Sequence, residues 1–125
     1  MWKILIVEDD SSLAKVLQER LTKSGFDVFL AVDAYQGLTM AKSELPDLMI
    51  LDLMLPGGGG ETTFQNLKRS SKTSRIPVLV LTASRDPEIR QKMIDAGVAG
   101  YMEKPYEATE LIGTINTILQ KKGQG

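Results

Sequence analysis

Six polar side chains stand where short strand-like runs end: Glu8, Asp9 and Asp10 after KILIV, Asp52 inside LMILDLMLP (48–56), Thr82 closing PVLVLT, and Lys104 closing GYMEK. Burying an ion within an apolar run is costly unless something nearby requires it there, so Asp52 must be explained by its surroundings. Carboxylates that crowd one another repel, and the usual relief is a shared hard cation with oxygen ligands, magnesium above all in the cytosol. Once such a cation screens the acids, a phosphorylated donor can approach, Thr82 and Lys104 can bind the transferred oxygens, and Asp52 becomes a carboxylate nucleophile of the kind that forms aspartyl phosphate.

Composition narrows the chemistry further. The 125 residues, 42% hydrophobic and 25% charged, suit one globular core. With no histidine and no cysteine, imidazole catalysis, a phosphohistidine, a thiolate metal site and disulfides are all excluded. Fifteen Lys plus Arg against sixteen Asp plus Glu leave a net charge of −1, which provides no field for nucleic acid or an anionic membrane. No apolar run reaches the roughly 18 residues of a membrane span, and no charged-then-apolar leader is visible, so a cytoplasmic location is expected.

The elements that must position these groups are legible in the hydropathy pattern. Strands are expected at 3–7, 27–32, 48–53, 77–82 and 100–104. Leu13, Val16, Leu17 and Leu21 recur at helical spacing behind caps at Ser11 or Ser12, and Leu38, Ala41 and Leu45 repeat the pattern before Pro46 stops it. A third helix is expected from Glu61 to Ser70, a fourth from Asp86 and Pro87 to Gly97, and a fifth carrying Leu111, Ile112, Ile115, Ile118 and Leu119. Five β-then-α repeats imply an α/β fold, a parallel sheet with helices on both faces. LMILDL and PVLVLT read as central strands and DVFLAV as nearer an edge. Sites in such sheets collect beyond the carboxyl ends of the strands, and Asp52 sits at the end of the third expected strand.

With these residues in this order, the sequence resembles a response regulator receiver domain over essentially its whole length, a domain over 1–122 followed by a tail or linker start at 123–125. The resemblance implies a flavodoxin-like (βα)5 three-layer sandwich with sheet order 2-1-3-4-5. It places the acidic pair on Glu8 and Asp9, the phospho-acceptor on Asp52, the switch hydroxyl on Thr82 followed by the small Ala83, the aromatic switch on Tyr101, and the lysine on Lys104 before a cis peptide bond to Pro105. It also implies a Mg2+ ion held by Asp9, Asp52 and the backbone carbonyl of Met54, with Glu8 acting through water. The implied donor is a sensor histidine kinase or phosphotransfer protein, met along Leu13, Ala14 and Leu17 unless these belong to the core. The implied output is a switched surface of the fourth helix, fifth strand and fifth helix that controls an output domain or target protein, the chain being a monomer or a phosphorylation-dependent dimer.

The sequence departs from the family pattern in three places. PGGGGE puts Gly59 where an acid is common, and four glycines raise the entropy lost on ordering, which predicts a mobile loop; a P-loop is excluded because Glu61 follows Gly60 where Lys is needed. Ala99 and Gly100 replace the acids that support one common receiver dimer, which leans toward a single-domain regulator or another output. Met54 and Ser84, two residues beyond Asp52 and Thr82, carry no charge to steer hydrolytic water, so slow self-dephosphorylation is expected. Three other classes compete. A haloacid-dehalogenase-type phosphatase needs a second acid at position 54, and a flavodoxin-like electron carrier needs a hydroxyl-rich first loop in place of EDDSS. The third is a pseudo-receiver, an unphosphorylated protein-binding scaffold of the same fold.

Overall fold

The computed structural model describes residues 1–56 and 59–124. Among the described residues five strands alternate with five helices: β1 (Lys3–Val7), α1 (Ser11–Lys23), β2 (Asp27–Ala31), α2 (Ala34–Glu44), β3 (Leu48–Leu51), α3 (Gly59–Arg69), β4 (Val78–Thr82), α4 (Pro87–Asp95), β5 (Gly100–Glu103) and α5 (Ala108–Gln124). Every strand pairing is parallel and the order is β2-β1-β3-β4-β5, the architecture expected. DVFLA is an edge strand with mostly half-buried side chains, while LMIL and VLVLT are central and buried throughout.

Strand alternation builds two cores. Ile4, Ile6, Leu48, Ile50, Leu79 and Leu81 project to one face and pack with Leu17 and Leu21 of α1 and Leu111, Ile115, Ile118 and Leu119 of α5. Leu5, Val7, Met49, Leu51, Val78 and Val80 project to the other and pack with Ala41, Phe64, Leu67 and Met93 of α2, α3 and α4. Both faces are therefore sealed by helices, and polar chemistry is confined to the ends of the strands.

Several local expectations are corrected. The cap of α1 is Asp10, not Ser11 or Ser12: its Oδ1 accepts from the N–H groups of Ser12 (3.0 Å) and Leu13 (3.2 Å), and both serines lie inside the helix. The extended backbone of Asp10 aims its carboxylate at donors that lack an intrahelical partner. Leu13 and Val16, expected in the core stripe, are 52% and 58% exposed, because the buried face turns through Ala14, Leu17 and Leu21. Leu45 is not part of the buried stripe of α2; it is exposed, at φ 47°, with its N–H donating to the carbonyl of Ala41. Pro46 disfavours right-handed helical geometry at the residue before it, so the helix closes there.

The loop expected to be mobile divides in two. Gly57 and Gly58 lie outside the described residues, while Gly59 and Gly60 are buried in the first turn of α3, two residues ahead of the expected start. The strands are also slightly shorter than their hydropathy suggests: β3 stops at Leu51 and β5 at Glu103, which frees Asp52 and Lys104 from the sheet. At the other extreme α5 continues through Gln124.

Candidate functional site

Three strand ends hand the next polar residue to a neighbour through one further backbone hydrogen bond. The N–H of Glu8 donates to the carbonyl of Ala31 (3.0 Å), that of Asp52 to Val7 (3.3 Å), and that of Lys104 to Thr82 (2.8 Å). These bonds extend the ladder just past the core and fix where each side chain leaves the backbone.

The Asp52 carboxylate is buried and held at both oxygens: Oδ1 accepts from the N–H of Met54 at 2.8 Å and Oδ2 from Lys104 Nζ at 3.1 Å. Lys104 Nζ also lies 3.6 Å from Glu8 Oε2. Oxygens of Glu8, Asp9 and Asp52 all fall within 4.8 Å of one another. Residues from three distant segments of the chain thus share one small volume, with Glu8 and Asp52 buried and Asp9 on the open side.

The electrostatics follow from that crowding. Burial, then the hydrogen bond to Asp52 and the charges of Asp52 and Asp9, push Glu8 up to about 7, against a smaller pull from Lys104. Burial also disfavours the charge on Asp52, but the hydrogen bonds from Glu8 and the Met54 N–H, together with Lys104, outweigh it and hold Asp52 below its ordinary value. Lys104 is held above its ordinary value although burial opposes it, because Asp52 and Glu8 favour its charged form. One acid of the group therefore keeps its proton near neutrality, the signature of more negative charge than a single lysine neutralises. A set of carboxylate oxygens with that surplus is suited to a hard divalent cation.

The remaining predicted residues divide. Thr82 is fully buried at the end of β4, its hydroxyl accepting from the N–H of Ser84 at 3.1 Å, with exposed Ala83 next in the chain. Tyr101 lies opposite Val80 in the sheet register and packs toward α4; Arg90 sits over its ring, 5.5 Å from the centroid. Among the described residues the Tyr101 hydroxyl is the buried side-chain polar atom left without a partner. Neither Thr82 nor Tyr101 joins the hydrogen bonds of the acidic group. The Lys104–Pro105 peptide bond is cis. Beside the acids, a cavity of about 360 Å³ runs between Leu13, Val16 and Arg20 of α1 and Pro105 and Tyr106, with Asp52, Glu8 and Lys104 in its wall.

Sequence reasoning missed four contributors. Arg85 donates to the carbonyl of Lys104 at 3.2 Å and pairs with Glu103 at 3.5 Å, steadying the segment that presents the lysine. Tyr106 and Arg20 line the cavity. Gly60 packs directly on the backbone of Asp52 and Leu53. No periodicity or spacing marks any of these positions, since each depends on which segments meet across the fold.

The model of the response regulator receiver domain family matches residues 4–116. The DNA-binding dual master transcriptional regulator RpaA of Synechocystis is 36% identical over 97% of this chain and 50% of its own length. The transcriptional activator protein IrlR of Burkholderia pseudomallei is 40% identical over 95% of this chain and 51% of its own length. The chain thus spans about half the length of the curated relatives it matches. A receiver domain structure from Clostridium thermocellum superposes with a TM-score of 0.92 at 25% identity, covering 99% of this chain and 98% of that one.

Proposed function

The chain belongs to the response regulator receiver domain family, and from that premise we propose that it accepts a phosphoryl group on Asp52 from a phosphohistidine of a sensor kinase or phosphotransfer protein. The observation that carries the reading is the position of Lys104 Nζ, 3.1 Å from Asp52 Oδ2, within the same small volume as Glu8 and Asp9.

In the proposed step an Asp52 oxygen attacks phosphorus, the bond from phosphorus to the donor's imidazole nitrogen breaks, and its electron pair leaves with that imidazole. Asp52 is suited to the role because it stays ionised, and the Met54 N–H and Lys104 restrict its rotation before the donor arrives. Lys104 then neutralises the transferred oxygens, and Thr82 supplies a hydroxyl once it turns from Ser84. Receiver domains generally use Mg2+; here Asp9, Asp52 and the Met54 carbonyl would hold it, with Glu8 acting through water, and when bound it screens the donor's charge from the acids. Reorientation of Thr82 and Tyr101 alters the face of α4, β5 and α5, where an output domain or target would read the state as a population shift. RpaA and IrlR are named as transcriptional regulators, which favours a transcriptional output; Ala99 and Gly100 argue against the dimer that acids at those positions support.

Incubation with acetyl phosphate and magnesium, followed by intact-mass measurement, tests the proposal. One added phosphoryl group, absent from Asp52→Asn, supports it. An unmodified wild-type chain would instead favour the scaffold reading.

A further inference from the structure

We infer that Gly60 is a positioning residue for the acceptor loop: its missing side chain is what allows the first turn of α3 to seat on the backbone of Asp52 and Leu53 and so hold Met54 against the Asp52 carboxylate. A Cβ built at Gly60 would overlap the Cα of Leu53 and lie 2.7 Å from the Leu53 carbonyl oxygen and 2.8 Å from that of Asp52. These are backbone atoms with no rotamer into which to retreat. They also belong to the acceptor and to the residue joining it to Met54, whose N–H fixes Asp52 Oδ1.

The requirement is for space, not for backbone conformation. Gly25 and Gly97 have φ of 96° and 98° and open space around them, whereas Gly60 is not among the positive-φ residues. Its neighbour Gly59 differs again: a Cβ there would meet the Leu55 Cβ at 3.4 Å and the Ala34 Cβ at 3.5 Å, ordinary packing distances. Adjacent glycines in one helical turn therefore have opposite tolerances. A methyl at position 59 fits and favours the helix. The same methyl at position 60 pushes apart α3 and the 52–54 segment, moving the Met54 N–H, and with it the Met54 carbonyl, relative to the carboxylate.

The consequence for magnesium rests on the proposed function, whereas the displacement of Met54 does not. The test compares wild type with Gly59→Ala, Gly60→Ala and Gly100→Ala. In the last, the new Cβ lies 2.8 Å from Leu79 Cδ1, which makes it a crowding control in the β5 core. Amide NMR of the metal-free proteins, magnesium titration and thermal melts are recorded on each. Expected are a displaced Met54 amide resonance and a magnesium Kd raised roughly tenfold or more in Gly60→Ala, near-wild-type behaviour in Gly59→Ala, and a lowered Tm with unchanged Kd and Met54 resonance in Gly100→Ala. Loss of metal affinity in Gly100→Ala to the same degree would reduce the effect to general destabilisation and overturn the inference, as would a Gly60→Ala chain indistinguishable from Gly59→Ala. A wild-type chain that binds no magnesium would count against the proposed function, and the Met54 resonance would still decide the role of Gly60.

Discussion

Glu8 keeps its proton to about pH 7, against 4.5 for a free side chain, chiefly because burial and Asp52 disfavour its charge. Over that interval the folded chain binds a proton that the unfolded chain has lost, so the contribution of Glu8 to metal-free stability is present at low pH and declines as pH rises from 4.5 through 7. Glu8→Gln is expected to remove this decline, giving a higher Tm than wild type above pH 7 and a smaller difference near pH 5; a constant difference across that range would refute the assignment. Metal ligands must shed protons, so magnesium affinity should strengthen between about pH 6 and pH 8, with proton release on binding, and calorimetry in buffers of different ionisation enthalpy measures both. Hydrolysis of the proposed Asp52 phosphoryl group is expected to depend on other residues. Met54 is 60% exposed and uncharged, and Ser84 Oγ is engaged by the N–H of Asp86 at 3.3 Å, so neither side chain steers water. The Asp52 phosphoryl group should outlast seconds in magnesium buffer, and Met54→Asn should shorten its lifetime; a wild-type lifetime of seconds by phosphate release would contradict this.

Among the elements, α1 has two faces with separate tasks. Ala14, Leu17 and Leu21 seal the core, whereas Leu13 and Val16 present exposed aliphatic surface beside the cavity that reaches Asp52. Of the residues first considered for docking, only Leu13 is therefore available, and Val16 joins it. Val16→Glu is expected to slow phosphoryl transfer from a histidine-bearing partner while leaving modification by acetyl phosphate unchanged; equal slowing of both would place the defect in the site itself. Element ends carry their own energies. Asp10→Ala should cost about 1 kcal/mol by leaving the α1 donors uncapped. Leu45→Gly should raise stability by about 0.5–1 kcal/mol, the relief of left-handed geometry less the added freedom of the unfolded chain. Both are read from denaturant unfolding.

Across the whole molecule, stability and chemistry are segregated. The two sheet faces are aliphatic and sealed, the site lies at one end of the strands, and the opposite end is tied by Asp47, which accepts from the N–H of Lys3 at 2.8 Å and from Lys122 Nζ at 3.3 Å. This joins the start of β1, the approach to β3 and the last turns of α5 far from the acids. Leu79→Ala, in the fully buried core facing α1 and α5, should cost about 2–5 kcal/mol without altering magnesium Kd under conditions where the variant is folded. A weakened Kd in the folded variant would show that core and site are coupled after all.

The sequence alone determined the alternation of elements, the central and edge strands, and the strand-end positions of the acids, Thr82 and Lys104, because hydropathy period and turn residues are local properties of the chain. It also excluded histidine and cysteine chemistry outright, since a missing side chain is missing in any fold. Tertiary structure decided what depends on two segments meeting: that Val16 faces outward, that Arg85 steadies Lys104, and that Gly60 is needed where Gly59 is not. The elevated proton affinity of Glu8 belongs to the same class. It arises from burial beside Asp52, 44 residues away in sequence, and no local pattern in a sequence encodes a distance through space.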